Sequence, residues 1–143
     1  MISQKARYAF KAVIALARVG ETSGLQIREL SQIESIPRKF LEQILLQLKA
    51  GGLIISRRGR DGGYRILKSP HEITFGQVLR LVDGPIAPLP CLSRTAYQRC
   101  EDCRDEAACG VRRGFSTAYD AMISTLERTT IADVLTDGGG ALQ

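Results

Sequence analysis

Four cysteines lie close together in this chain, within nineteen of its 143 residues: Cys91, Cys100, Cys103 and Cys109. Their spacing, Cys-x8-Cys-x2-Cys-x5-Cys, puts four thiols on one stretch and leaves none elsewhere. Four thiolates can complete the tetrahedral shell of a zinc ion or hold an iron–sulfur cluster. Without a metal, neighbouring thiols can act as a redox switch. The spacing therefore predicts metal or redox chemistry.

The overall composition sets the context for these thiols. The chain is 44% hydrophobic, which is enough for the core of one domain without disulfides. The longest apolar run near the N-terminus, 12–17, is short and flanked by basic residues, so neither a signal peptide nor a membrane span is expected. We therefore expect a cytoplasmic protein, and in a reducing compartment clustered cysteines indicate metal binding before disulfides.

Positive charge is concentrated in one part of the chain. The net charge is +5, yet residues 38–68 alone contain eight basic and two acidic residues. Such a segment favours an anionic partner, nucleic acid before membrane. An ordinary solvated surface of Lys and Arg is the alternative.

Three helices are predicted in the first fifty residues. Hydrophobic periodicity predicts them over 3–19, 27–33 and 37–50, with Ser35 capping the third. The apolar positions of the third helix recur at i, i+3, i+4 and i+7: Leu41, Ile44, Leu45 and Leu48. Its outward positions are long polar residues suited to base edges and phosphates: Arg38, Lys39, Glu42 and Gln43. For Glu42, a solvated or intrahelically paired carboxylate is the alternative to a base contact.

A hairpin is predicted directly after the third helix. Residues 53–57 and 64–67 have strand composition, and an Arg- and Gly-rich turn joins them. Helix, short helix, turn, helix and hairpin is the order of a winged helix-turn-helix domain. Such a domain presents its third helix to the DNA major groove and its wing to the backbone or minor groove. Arg58 and Arg60 in the wing are therefore predicted to contact DNA together with the third helix.

A long helix is predicted after the cysteines, over about 105–128. It carries an apolar stripe that we expect to form a dimer interface: Val111, Phe115, Tyr119, Met122 and Leu126. Packing of the same stripe within one chain is the alternative.

These elements predict a mainly α fold with a small β-hairpin wing. The expected organisation is a winged helix-turn-helix domain over 1–83, a cysteine-rich loop over 84–110, a dimerisation helix with a short C-terminal helix over 105–136, and a frayed tail over 137–143. A helix from 75 to 83 joins the first two parts.

The sequence contains no recognisable catalytic motif. It has no GxGxxG or P-loop motif, no acidic pair stands out, and its one histidine, His71, lies in a turn-like segment. An iron–sulfur electron carrier is the remaining redox alternative. We expect no catalytic residues.

Four stretches carry a family resemblance: Ala6-Arg7-Tyr8-Ala9, Phe40-Leu41-Glu42-Gln43, the wing from Arg58 to Tyr64, and the cysteines before a long helix. Together they resemble the IscR/NsrR/CymR group of bacterial winged-helix transcription regulators, also called the Rrf-type family. The resemblance implies a homodimer with crossing long helices, recognition of a pseudo-palindromic double-stranded operator, and a loop that holds an iron–sulfur cluster. It implies a repressor or activator that senses iron, oxygen, nitric oxide or redox state.

The chain departs from this family pattern at one ligand. Cluster-binding members commonly use three cysteines and a His after the third or a carboxylate near the partner's N-terminus. Here His71 precedes the loop, and no Asp, Glu or His occurs before Glu21. The resemblance thus makes the additional cysteine, Cys100, the fourth ligand of a [2Fe–2S] or [4Fe–4S] cluster. Zinc, or metal-free thiols with pKa values lowered by Arg99 and Arg104, remain the alternatives.

Overall fold

The computed structural model describes residues 2–136 and consists of helices around one antiparallel hairpin. The helices are α1 (Gln4–Val19), α2 (Ile27–Glu34), α3 (Arg38–Ala50), α4 (Phe75–Asp83), α5 (Gly110–Arg128) and α6 (Ile131–Thr136); the strands are β1 (Ile54–Arg57) and β2 (Gly63–Ile66); single 3-10 turns span Pro70–Glu72 and Pro90–Leu92. The predicted fold class is confirmed. The tail predicted to fray, 137–143, lies outside the described residues. Within the described part, no helix is both long and apolar enough to cross a membrane.

Helix α1 lies at the centre of the fold. Its N-cap is Ser3, whose hydroxyl accepts a hydrogen bond from the Ala6 N–H at 2.9 Å and donates one to the Asp83 carboxylate at 2.5 Å. The buried face consists mostly of small side chains: Ala6, Ala9, Ala12, Val13 and Leu16. Because alanines allow close approach, α3, α4 and α6 all pack against this one helix.

The turn between α2 and α3 depends on one left-handed residue. Ser35, with φ 54°, ends α2, and Pro37 is the N-cap of α3, so the expected capping of α3 by Ser35 is wrong. The reversal buries Ile36, whose N–H donates to the Ser31 carbonyl at 3.1 Å and whose carbonyl accepts from the Ser31 hydroxyl at 2.6 Å. The sequence around Ser35 gives no sign of this turn, because the burial of Ile36 depends on residues that are distant in sequence. The predicted core face of α3 is fully buried: Leu41, Ile44, Leu45 and Leu48.

The wing is anchored to the helices at its base. Strand β1 pairs with β2 so that Arg57 lies opposite Gly63 beside the turn, within one residue of the predicted strand ends. Gly63 has φ 102°, and a Cβ there would lie 2.5 Å from the Leu25 carbonyl oxygen, so only glycine fits. Leu25 in turn exchanges two backbone hydrogen bonds with Tyr64, at 2.9 and 2.8 Å. The wing therefore has a fixed position relative to α2.

Only the C-terminal half of helix α5 packs on the core. It begins at Gly110, later than predicted, because Cys109 serves as its N-cap and the preceding residues form the loop. Its C-terminal half packs on α4 and buries Tyr119 and Ile123. Residues 110–118 contain no buried side chain. Residues 94–108 of the cysteine loop also bury no side chain, so this part of the loop and the first half of α5 stand outside the core.

Candidate functional site

The outer face of α3 presents the predicted DNA-binding side chains to solvent. Arg38, Lys39, Glu42 and Gln43 are all exposed. Arg38 Nε lies 3.8 Å from Glu42 Oε1, an i,i+4 ion pair whose two side chains are each 59% exposed. In the free chain Glu42 is therefore paired with Arg38 within the helix, which is the alternative to a base contact given above.

The wing tip presents further basic residues beside this face. Arg58 and Arg60 are exposed, and the turn between them is tethered by Gln26, whose side-chain Nε2 donates to the Gly59 carbonyl at 3.2 Å. Lys49, at the end of α3, donates to the Ser56 hydroxyl at 2.8 Å. These tethers hold α3 and the wing in one arrangement.

Sequence reasoning missed both tethering residues. For Gln26 a signal was present, since its backbone N–H donates to Glu29 Oε1 at 3.1 Å in the capping-box spacing that marks a helix start. Nothing local indicated the bond from Lys49 to the wing.

The four cysteines come together around one cavity. All four are free thiols: Cys91 is buried in the Pro90–Leu92 turn, Cys103 and Cys109 are half-buried, and Cys100 is exposed. They line an open cavity of about 460 Å³ between the loop and the first turn of α5. Cys109 Sγ accepts the Arg112 backbone N–H at 3.4 Å. The predicted cluster ligands thus lie on one surface.

Side chains of the loop hold its own backbone. Arg99 Nη2 donates to the carbonyls of Cys103, at 3.4 Å, and Arg104, at 3.0 Å. The Cys103 N–H donates to the Cys100 carbonyl at 3.2 Å, closing a tight turn. The Tyr97 hydroxyl bonds Glu106, and this hydrogen bond raises the pKa of Tyr97. The loop is therefore folded by polar contacts.

The electrostatics at Cys100 differ from the expectation. Partial desolvation by the surrounding loop raises the pKa of the exposed Cys100 thiol, and the neighbouring Cys91 and Asp102 raise it further. The predicted lowering by Arg99 is wrong for this thiol, because the Arg99 guanidinium is directed at backbone carbonyls.

The donor set has the chemistry of a cluster site and an open arrangement. Tetrahedral zinc bonds of about 2.3 Å would bring four sulfurs to about 3.8 Å from one another. Within residues 2–136, no three His, Cys, Asp or Glu side chains converge closely enough to hold one metal ion. The cavity lining supplies four soft sulfur donors, and these match the ligand preference of an iron–sulfur cluster. His71 is exposed in the Pro70–Glu72 turn.

The predicted dimer stripe of α5 divides into two faces. Val111, Phe115 and Met122 are 60%, 49% and 44% exposed. Tyr119 is only 4% exposed, and the guanidinium carbon of Arg94 lies 5.8 Å from the centroid of the Tyr119 ring. Leu126 packs on the core. Tyr119 and Leu126 therefore pack within their own chain, which was the alternative to a dimer contact. We use the term exposed stripe for the four outward apolar residues Val111, Phe115, Ala118 and Met122.

An ion pair between Arg80 and Glu127 joins α5 to the core. Glu127 near the end of α5 accepts a hydrogen bond from Arg80 on α4, which lowers the pKa of Glu127. Glu127 also lies against Gly76, where a Cβ would come within 2.9 Å of its carboxylate. The C-terminal half of α5 is therefore firmly attached to α4.

These features define a class of protein. A buried helical core supports a polar recognition helix and an arginine-bearing wing, which is the architecture of a DNA-binding winged-helix regulator.

Comparison with known proteins identifies the family. Residues 2–137 match the Rrf2 family, described as an iron-dependent transcriptional regulator, and the chain belongs to this family. It is 44% identical to an rrf2-like HTH-type transcriptional regulator of Rhodobacter capsulatus, over 99% of this chain and 96% of that protein. It is 31% identical to the HTH-type transcriptional regulator CymR of Bacillus subtilis, over 96% of this chain and 92% of that protein. These relatives are regulators, and the predicted absence of enzymatic activity agrees with them.

Solved structures support the same assignment. The structure of CymR (YrzC), the global cysteine regulator of B. subtilis, matches with a TM-score of 0.78 and 29% identity, covering 95% of this chain and 96% of that one. T. potens IscR matches the fold with a TM-score of 0.78 at 21% identity, covering 100% of this chain and 91% of that one.

Proposed function

We propose that the chain is a homodimeric transcription regulator whose operator affinity depends on an iron–sulfur cluster held by its four cysteines. The observation that carries the proposal is that four free thiols, from a loop and from the start of α5, line one cavity of about 460 Å³. Soft thiolate donors gathered in this way are typical of sites that bind an iron–sulfur cluster or zinc.

The cysteine spacing favours a cluster over zinc. Structural zinc sites typically use two close Cys pairs, whereas this chain has one Cys-x2-Cys and two outlying cysteines. Cys100 takes part as the fourth ligand, because it lines the same cavity as the other three. The family's description as iron-dependent agrees with iron chemistry at this position.

For DNA, we assign six exposed residues on α3 and the wing: Arg38, Lys39, Glu42, Gln43, Arg58 and Arg60. The α3 residues approach base edges in the major groove, and the wing arginines approach phosphates. Breaking the Arg38–Glu42 pair on binding would free both side chains for DNA.

The exposed stripe of α5 is the proposed dimer contact. A contiguous apolar face on a projecting helix is costly to leave in water, and a second copy supplies a matching face by two-fold symmetry. Such a dimer would present two α3 helices to major grooves about 34 Å apart, as a pseudo-palindromic operator requires.

Contacts connect the cysteine cavity with α3. The loop joins the first turn of α5, and the far end of α5 is bound to α4 through Arg80 and Glu127. Helix α4 packs against the end of α3, where a Cβ on Gly51 would lie 2.5 Å from the Leu81 side chain. We therefore expect cluster loss to shift the α3 helices of a dimer relative to each other. A coupling free energy of about 1 to 3 kcal/mol is typical of such linkage.

The test begins with anaerobic protein. Reconstituted wild-type chain should contain iron and sulfide and absorb visible light, and Cys100→Ser should reduce cluster content. Ser124→Ala, on the exposed opposite side of α5, is the control. Zinc without colour would contradict the cluster assignment.

The regulatory part needs a DNA measurement. Operator fragments selected by the wild type from a random pool would be titrated at fixed salt with cluster-loaded and cluster-free protein. A difference of roughly fivefold or more is expected. Equal affinities would end the sensor proposal and leave DNA binding intact.

Metal-free thiol sensing is the second candidate. The exposed Cys100 is accessible to oxidants, and a tight turn joins it to Cys103. Because the pKa of Cys100 is raised, its oxidation should become faster as pH rises. Colourless, metal-free protein whose DNA affinity changes on mild oxidation would favour it.

A further inference from the structure

Arg112 connects the two ends of the cysteine loop. Its backbone N–H donates to Cys109 Sγ at 3.4 Å, and its side-chain Nη2 donates to the Cys91 carbonyl at 3.4 Å. Cys91 and Cys109 are the first and last of the four cysteines. One residue in the first turn of α5 therefore contacts both boundaries of the cavity.

The same guanidinium has an unused donor. Arg112 Nε is buried and has no hydrogen-bond partner among the described residues, although Arg112 lines the cavity beside the four thiols. A buried N–H without a partner costs free energy comparable to a lost hydrogen bond. Such a group marks a place where an acceptor belongs.

The charge of the cavity indicates the acceptor. Four thiolates carry more negative charge than the core of an oxidised cluster offsets, and Asp102 and Asp105 also line the cavity. Arg104 and Arg112 are the positive side chains of that lining. Of these, only Arg112 combines a bond to a ligand residue with a buried free N–H.

We propose that Arg112 is a positioning residue of the cysteine site, which ties Cys91 to α5 and offers its free Nε–H and its charge to the sulfur atoms held in the cavity. The proposal rests on the proposed cluster for its second half, while the tie to Cys91 stands without a cluster. A hydrogen bond and a positive charge at cluster sulfur stabilise the reduced state, which carries one more electron.

The chain contains a matched control. Arg113 is the next residue of α5, carries the same charge and is exposed, and its guanidinium makes no hydrogen bond or ion pair with the described residues. Arg112→Gln removes the tie, the free N–H and the charge. Arg112→Lys keeps the charge and loses the planar pair of donors.

The first measurement uses metal-free protein. Amide hydrogen exchange around Cys91 and at the start of α5 should be roughly tenfold faster in Arg112→Gln than in wild type, with Arg113→Gln unchanged. Arg112→Lys should lie between them. Identical exchange rates in wild type and Arg112→Gln would show that the Arg112 side chain does not hold Cys91 to α5.

The second measurement uses cluster-loaded protein. A dye-mediated anaerobic titration should give Arg112→Gln a more negative midpoint potential than wild type, with Arg112→Lys near wild type and Arg113→Gln unchanged. Equal shifts in Arg112→Gln and Arg113→Gln would mean that only net charge acts, and would overturn the specific role. If wild type takes up no cluster, the proposed function fails at that step, and the exchange comparison still decides the tie.

Discussion

The winged-helix core differs in its packing from the arm, by which we mean the cysteine loop and the first half of α5. In the core, α1 and α3 bury continuous apolar faces, with Leu16 and Leu45 fully enclosed. In the arm, residues 110–118 bury no side chain, and the loop before them is folded mainly by hydrogen bonds to its own carbonyls. The core is complete within one chain.

Under the proposed function, the arm is the part of the molecule that takes up a bound group and a second chain. An apolar stripe without a partner and a cavity lined by four thiols occur in the same segment. A region with few buried contacts has low local stability, so a bound group or a second chain can order it at small free-energy cost. In the proposed regulator, the arm would therefore respond to the bound group, while the core presents α3.

The largest expected effect comes from opening the core. Leu45→Ala should lower the free energy of unfolding by about 2 to 5 kcal/mol, because it removes a fully buried side chain and leaves a cavity. Chemical denaturation followed by circular dichroism measures it. Leu46→Ala, at a neighbouring position that is 69% exposed, should change stability by less than about 0.5 kcal/mol. Equal losses in both variants would contradict the described orientation of α3.

The next effect concerns the arm alone. Phe115→Glu should weaken self-association at least roughly tenfold, because a charge would enter an apolar contact. Sedimentation equilibrium measures the association constant, and Ser124→Glu on the other side of α5 is the control. If Phe115→Glu stays as dimeric as wild type, the exposed stripe is not the interface.

A smaller effect is expected at the wing. Arg60→Ala should weaken operator binding and reduce the slope of log affinity against log salt by about 0.9, provided that its guanidinium contacts one phosphate. Fluorescence anisotropy at several salt concentrations gives the slope. Arg113→Ala should leave it unchanged. If the salt dependence of Arg60→Ala equals that of wild type, Arg60 does not contact a phosphate.

The smallest effect tests the joint between core and arm. Because the hydrogen bond from Arg80 lowers the pKa of Glu127 below its ordinary 4.5, the pair stabilises the fold above that pH and the contribution disappears as pH falls through the lowered value. Glu127→Gln should therefore cost up to about 1 kcal/mol at pH 7, since both side chains are partly exposed, and nothing at strongly acid pH. Unfolding measured at both pH values checks this, and a constant difference would exclude ionisation as the cause.

Elements with strong local signals were predictable. The buried leucines of α3 follow a helical period. The predicted short C-terminal helix begins with a local pair, because the Thr130 and Asp133 side chains each accept the other residue's N–H, at 3.2 and 2.8 Å. The failure at Ser35 had a nonlocal cause, because Ile36 must reach the core. The late start of α5 has a local one, since the Cys109 sulfur accepts the Arg112 N–H and makes Cys109 the N-cap.

The sequence by itself determined the helix periods, the basic segment over 38–68 and the four cysteines that share one short stretch. These are properties of neighbouring residues, and period and spacing can be read along a chain. Only the tertiary structure decided that Tyr119 faces inward while Phe115 faces outward, and that Arg112 reaches back to Cys91. Which side of a helix is covered depends on segments far away in sequence, because burial is a property of the assembled fold.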